Sequence, residues 1–309
     1  DSAADLRARI HAGDALGKLG DPRFESRQGS LGRYLLPPMI KIAGGTYLIG
    51  SDEGLEEDEA PRHEVELAPF ALGQFPVTNA EFKCFIDAGG YDDERWWDTP
   101  QAQRWQRGEG TGEASRENWR YFRNLFKNDA AYFAELVDEQ AWNEELIQQW
   151  KENIDMTDEA FEALLEDRWP HQRFTLPGYW NDPKYNASAQ PVVGICWFEA
   201  RAYCAWLSTQ AGQNYRLPSE AEWEAAASGA EGRRYPWGDA FDATVCNTIE
   251  TRLRRATPVG VFPASDTPPS VSEGSIVDLP GNVWEWTGSN YQAYPYRVDN
   301  GMEFVDGNA

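Results

Sequence analysis

Three short tryptophan-bearing signatures constrain this chain more than any other feature: Arg216-Leu-Pro-Ser-Glu-Ala-Glu-Trp223, Tyr235-Pro-Trp-Gly238 and Gly281-Asn-Val-Trp-Glu-Trp286. They belong to a set of 14 tryptophans in 309 residues. An indole is buried favourably only where its N–H finds an acceptor. So many of them predict a fold rich in loops pinned by aromatic anchors rather than a helix bundle.

A chain of 34.9 kDa with 41% hydrophobic residues can bury a substantial core, as one large domain with insertions or as two modest ones. The formal charge of −23 argues against a nucleic-acid backbone or an anionic membrane surface as partner, because both reward clustered Lys and Arg. A basic protein partner or divalent cations fit that balance, as does a surface kept soluble by its acids. Cys84, Cys196, Cys204 and Cys246 form no CxxC pair and no metal-ligand spacing. Reduced core thiols in a reducing compartment are therefore expected. No apolar run approaches the ~20 residues of a membrane span, and no charged-then-apolar leader opens the sequence.

Residues 4–19 place apolar side chains at helical spacing until Gly20-Asp-Pro22 stops them. This helix and its connector fill 1–38, ahead of a main domain at 39–309. Gly45–Gly50 and His63–Phe70 read as strands that pair antiparallel across the acidic Ser51–Glu59 loop. Thr78-Asn-Ala-Glu81 and Ser219-Glu-Ala-Glu222 have the form of capping boxes, opening helices at about 79–88 and up to Ser228. Phe198–Leu207 is a third helix, Pro258–Pro263 a short strand and Ser265–Gly274 a loop.

Between Arg95 and Arg173 the texture changes. Glu117–Phe126, Ala130–Glu139, Ala141–Asn153 and Thr157–Asp167 carry Trp, Phe and Leu at helical spacing among many acids. They predict an acidic helical insertion at about 110–170 that packs on the domain rather than forming its core.

Taken with Gly45–Gly50, Pro76-Val-Thr-Asn-Ala-Glu-Phe82, Pro191-Val-Val-Gly-Ile-Cys-Trp197 and Tyr203-Cys-Ala-Trp206, the three signatures resemble the formylglycine-generating-enzyme (sulfatase-modifying factor) domain family. The likeness covers about residues 39–97 and 174–290. It implies an α+β, C-type-lectin-like fold of the formylglycine-generating-enzyme subtype: a mixed antiparallel sheet, flanking helices and much irregular loop.

The resemblance also implies chemistry. Family oxidases use a copper-binding cysteine pair in a terminal segment beyond a Gly-Gly-Ser-type strand, and none of the four cysteines matches that pair. The domain is thus expected to be incomplete at its C-terminal end, with copper implied only if a further segment supplies the pair. For structural Ca²⁺, the likeness assigns Asp278 and Glu285 side chains and the Gly281 and Val283 carbonyls to one site. A second site takes Asn247 and the Thr248 carbonyl, with Glu250 replacing the family acid that falls on Thr251. The alternative is that Asn282 and Glu285 serve only turn hydrogen bonds.

His11, His63 and His171 lack the His-x-x-x-His-x-Glu spacing of iron-dependent relatives. Trp96, Trp97, Trp105, Trp180 and Trp197 could line a ligand platform, but pinning loops to the core is the favoured role. The expected function is a non-catalytic ligand- or protein-binding module, as in retroelement-diversified binders or the sensor part of a bacterial defence or signalling protein. The alternative is a copper- and oxygen-dependent formylglycine-generating oxidase. The expected partner is a protein or peptide ligand, or a segment that completes the sheet.

Overall fold

The computed structural model describes residues 5–52, 59–138, 144–262 and 274–297. Packing divides the chain into one unit of residues 1–99 and 175–309 and a helical unit of residues 100–174. In the first unit, α1 (Leu6–Leu19) is opened by Asp5, whose carboxylate accepts from the Arg7 N–H at 2.9 Å. Three antiparallel ladders follow: β1 (Glu25–Gly29) with β2 (Gly32–Leu36), β3 (Met39–Ile42) with β6 (Phe70–Gly73), and β4 (Gly45–Ile49) with β5 (His63–Leu67). The β4–β5 pair is the one expected from the alternation, with Tyr47 opposite Val65 and Ile49 opposite His63. Of the acidic loop between them, residues 53–58 lie outside the described residues. Next, α2 (Asn79–Asp87) starts on a complete capping box: the Thr78 hydroxyl accepts from Glu81 N–H, and the Glu81 carboxylate accepts from Thr78 N–H at 2.8 Å.

The helical unit holds α3 (Pro100–Gln106), α4 (Glu113–Asn128), α5 (Ala130–Asp138), α6 (Glu144–Asp155) and α7 (Asp158–Arg168). Its interior is aromatic, with Trp119 stacked on Trp150 at 4.8 Å and Trp150 edge-on to Phe126 at 5.1 Å. Two arginines of α4 join that interior. Arg116 donates to the Trp169 carbonyl at the end of α7, and Arg123 donates to the Asn153 and Met156 carbonyls at the end of α6. Seven residues apart on one helix face, each cation satisfies carbonyls that a helix C-terminus leaves without partners.

In the first unit, α8 (Trp197–Ala211) extends beyond the expected Leu207 until Gly212, at φ +66°, closes it. Its Tyr203 and Trp206 pack on Phe82 and Phe85 of α2, with centroids 5.4 to 6.2 Å apart. Each fully buried ring contributes ~1.5–3 kcal/mol by leaving water. The last helix, α9 (Glu220–Ser228), repeats the capping box with Ser219 and Glu222 and is stopped by Gly229, as its sequence predicts. It lays Ala221, Ala225 and Ala226 against Tyr47, Ile49 and Val65, where only small side chains allow so close an approach.

The strand expected at 258–263 does not form over the described residues 258–262. Pro258 has no N–H to donate, Gly260 takes φ +75°, and the Gly260 N–H is turned to the Asp278 carboxylate. The segment is buried as a turn instead, tied by Val259 N–H to the Ala189 carbonyl at 2.9 Å. Residues 263–273, which include most of the expected loop, and residues 298–309 lie outside the described residues.

Burial gives α2 a pH dependence. Glu81 is enclosed, and desolvation pushes its carboxyl from 4.5 up to about 7, against the Thr78 hydrogen bonds that lower it. The folded state therefore holds this proton more tightly than the unfolded chain does. Its stabilising contribution is fully present below 4.5 and is lost as pH rises to about 7. Urea melts across that window are expected to show a loss of ~3 kcal/mol from this group. Glu81→Gln should flatten that slope; an unchanged slope would refute the assignment.

Candidate functional site

The segment from Asp278 to Ser289 is held by a knot of loops. Asp278 and Asn282 adopt left-handed backbone, φ +65° and +73°, which short polar side chains tolerate best. Asp278 Oδ2 accepts from the Gly260 N–H at 2.8 Å. Asn282 is the hub: its Oδ1 accepts from the Thr257 N–H at 2.7 Å and from Asn247 Nδ2 at 3.0 Å, and its Nδ2 donates to the Thr257 carbonyl at 3.1 Å. At Gly281 any Cβ would stand 2.7 Å from the Asn247 carbonyl oxygen, so only glycine fits.

Beyond the knot the chain is strapped across the unit. Trp286 Nε1 donates to the Ile195 carbonyl at 3.0 Å, Trp197 Nε1 to the Thr287 carbonyl at 2.8 Å, and Gly288 N–H to the Pro218 carbonyl at 2.7 Å. The strap leaves Trp284 fully exposed and Trp286 half exposed (102% and 49%), with Tyr291 also exposed. Sequence reasoning missed this face, because the motif's tryptophans read as core anchors. The only signal was their separation by the polar Glu285.

The residues of the two expected calcium sites lie on adjoining turns. At the first, Asp278 and Glu285 come within electrostatic reach. The protein around the Glu285 carboxyl and then the Asp278 charge raise it above its ordinary value. Taken as a whole the residue is exposed. The Gly281 carbonyl accepts the Val283 N–H at 2.9 Å.

The second set does not fit a cation. Asn247 turns its Nδ2 to the Arg255 carbonyl and to Asn282 Oδ1, while its Oδ1 accepts the Thr251 hydroxyl at 3.1 Å. The Thr248 carbonyl accepts the same hydroxyl at 2.7 Å, and Glu250 stands in solvent on the turn. These oxygens are used by the local turn. Among the described residues no three His, Cys, Asp or Glu side chains gather as metal ligands.

The four cysteines are free. Burial raises all four thiols, that of Cys204 to about 12. They are neutral thiols at neutral pH, whereas nucleophilic and metal-binding chemistry uses the thiolate. Of the platform candidates, Trp96 and Trp97 are buried, with Trp97 Nε1 on the Gly90 carbonyl, and Trp105 stacks on Phe174 within the helical unit. His11 lies on α1, His63 on β5 and His171 in the helical unit. No helix among the described residues is long and apolar enough to cross a membrane.

Comparison with known proteins places the chain. The profile of the sulfatase-modifying factor enzyme 1-like domain matches residues 29–309. Hercynine oxygenase from Mycolicibacterium smegmatis is 31% identical over 295 residues, covering 93% of this chain and 52% of that protein. Inactive C-alpha-formylglycine-generating enzyme 2 from Bos taurus is 30% identical over 285 residues, covering 87% of this chain and 76% of that protein. A serine/threonine-protein kinase from Chlamydia trachomatis is 27% identical over 273 residues, covering 87% of this chain and 30% of that protein. The chain thus spans about half of the oxygenase and less than a third of the kinase.

Proposed function

Because the chain belongs to the sulfatase-modifying factor enzyme 1-like domain family, we propose that it is a non-catalytic module that binds a protein or peptide through the aromatic face around Trp284 and Trp286. The exposure of those two indoles carries the reading. Trp286 is already fixed by its N–H on Ile195, so it offers a large apolar area with little entropy left to lose. Held aromatic side chains of this kind dominate binding energies at interfaces. The charge of −23 favours a ligand with basic residues beside its apolar ones.

Two comparisons support the reading. The cattle relative is named inactive, and a similar segment occurs within a protein named a kinase, as a module of a larger bacterial cytoplasmic signalling protein would. Retroelement-diversified display is one form such a module takes. In this reading Asp278, Glu285 and the carbonyls of Gly281 and Val283 hold a structural Ca²⁺ that stiffens the strap.

The test sets binding against oxidase chemistry on the same protein. Selection from a displayed peptide library is expected to enrich basic, aromatic sequences, and retention should fall at least ~10-fold in Trp284→Ala. Incubated with copper(I), oxygen and a cysteine peptide, the protein should leave the cysteine intact. Its own four thiols should react at least ~10-fold more slowly with a thiol reagent than those of the unfolded chain. Conversion of the peptide cysteine to an aldehyde, or the absence of any enriched peptide, would refute the proposal.

A further inference from the structure

The strap that carries the aromatic face is built like a strand without a neighbour. Trp284, Glu285, Trp286 and Thr287 run without turn or bend and join no ladder among the described residues. Their side chains alternate as a strand's do. Trp284 and Trp286 are exposed, while the Glu285 carboxyl between them lies among protein groups, within reach of the Asp278 charge. Indole hydrogen bonds at 3.0 Å to Ile195 and at 2.8 Å from Trp197 to Thr287 hold the run in place.

The backbone of this run is unspent. Among the described residues no hydrogen bond uses the main-chain N–H or carbonyl of Trp284, Glu285 or Trp286. Along a strand, the N–H and C=O of one residue point to one edge and those of the next residue to the other. Trp197 takes the Thr287 carbonyl, which marks the edge shared by Glu285 and Thr287 as the one facing the unit. Trp284 and Trp286 therefore turn two donors and two acceptors to the open edge. Open edges are ordinarily guarded by Lys, Pro, a bulge or a charge set across them. This one carries two tryptophans in place of a guard.

On the reading that this face binds a peptide, we propose that the ligand docks as an added β-strand along residues 284–286, its backbone paired with Trp284 and Trp286 and every second side chain packed on their indoles. In this mode main-chain pairing supplies affinity and alternate side chains supply selectivity. The partner is thus an extended protein segment with large apolar residues at alternate positions. Basic residues between them answer the charge of −23. A helical ligand would cover the indoles but leave the four backbone groups of the edge unpaired.

The probe is the tightest peptide from the displayed-library selection, resynthesised with single N-methyl amides and titrated into the whole chain. Methylation should cost at least ~10-fold in affinity at two positions two residues apart, and under ~3-fold at the position between them. On the protein, the unmodified peptide should slow exchange of the Trp284 and Trp286 amides at least ~10-fold and leave the Glu285 amide unchanged. Methylation that costs under ~3-fold everywhere, or most at a spacing of three or four, overturns the strand mode while leaving peptide binding intact. Ladder-like protection of the Trp284 and Trp286 amides before any peptide is added also overturns it, and assigns the edge to a segment of the same protein. A selection that enriches no peptide overturns the binding reading and the strand mode together. The methylated peptides act on the unaltered protein, so no variant has to fold for the result to count.

Discussion

Asn282→Ala is expected to lower stability by ~4 kcal/mol and the melting temperature by about 10 °C. The substitution removes three accepted hydrogen bonds and one donated, and it strands the Thr257 N–H, which is wholly buried. A buried donor left without a partner costs ~1–3 kcal/mol by itself. Alanine also inherits φ +73°, which disfavours a side chain without a local hydrogen bond by ~1 kcal/mol. Asn282→Gly separates the two contributions, because it relieves the backbone but restores no hydrogen bond. It should recover only the smaller part. A thermal melt of Asn282→Ala within about 2 °C of the parent would show that the knot does not hold the strap.

Arg123→Ala is expected to cost ~3–4 kcal/mol, felt in the helical unit. Arg123 is enclosed, lies 4.4 Å over the Phe161 ring, and donates to Asn153 O at 2.8 Å, Met156 O at 2.5 Å and Asp158 Oδ1 at 2.7 Å. The ion pair is the minor part: the Asp158 side chain is 81% exposed, so water and salt screen it. Asp158→Ala should therefore cost much less than Arg123→Ala. Arg123→Lys should rescue little, because a point-like ammonium cannot reach two diverging carbonyls at once. Hydrogen exchange over residues 144–155 reads the result directly, and equal losses for Asp158→Ala and Arg123→Ala would overturn the capping role.

These arginines show where sequence stops being legible. The capping boxes at Thr78 and Ser219 announced α2 and α9 because a cap is a local pattern, with donor and acceptor three residues apart. The β4–β5 ladder was equally plain, since alternation carries the two-residue period of a strand. Arg116 and Arg123 carry no such signal, because nothing local says that a cation on an acidic helix will find the ends of two other helices. The turn at 258–262 was misjudged for a related reason. Its run of Val and Phe has strand composition, but its backbone partners are Ala189 and Asp278, about 70 and 20 residues away.

The candidate site divides in the same way. That Asp278 and Glu285 approach each other followed from family likeness, whereas the use of Asn247 and Thr248 by their own turn depended on one hydroxyl, that of Thr251. The exposure of Trp284 and Trp286 had no sequence signal beyond the intervening acid, because composition cannot say which anchors face outward.

Helix α1 sits on its unit through Gly13 and Gly17, where a Cβ would stand 2.6 Å from the Pro258 Cβ and 2.8 Å from the Ala189 nitrogen. The family profile starts at residue 29, yet Ile10 shares an apolar cluster with Val261 and Phe262, and Arg9 donates to the Val261 carbonyl at 2.6 Å. A protein trimmed to the boundary of likeness would therefore lose a side of its interior and not a dispensable tail. A cut that keeps these contacts lies ahead of Leu6.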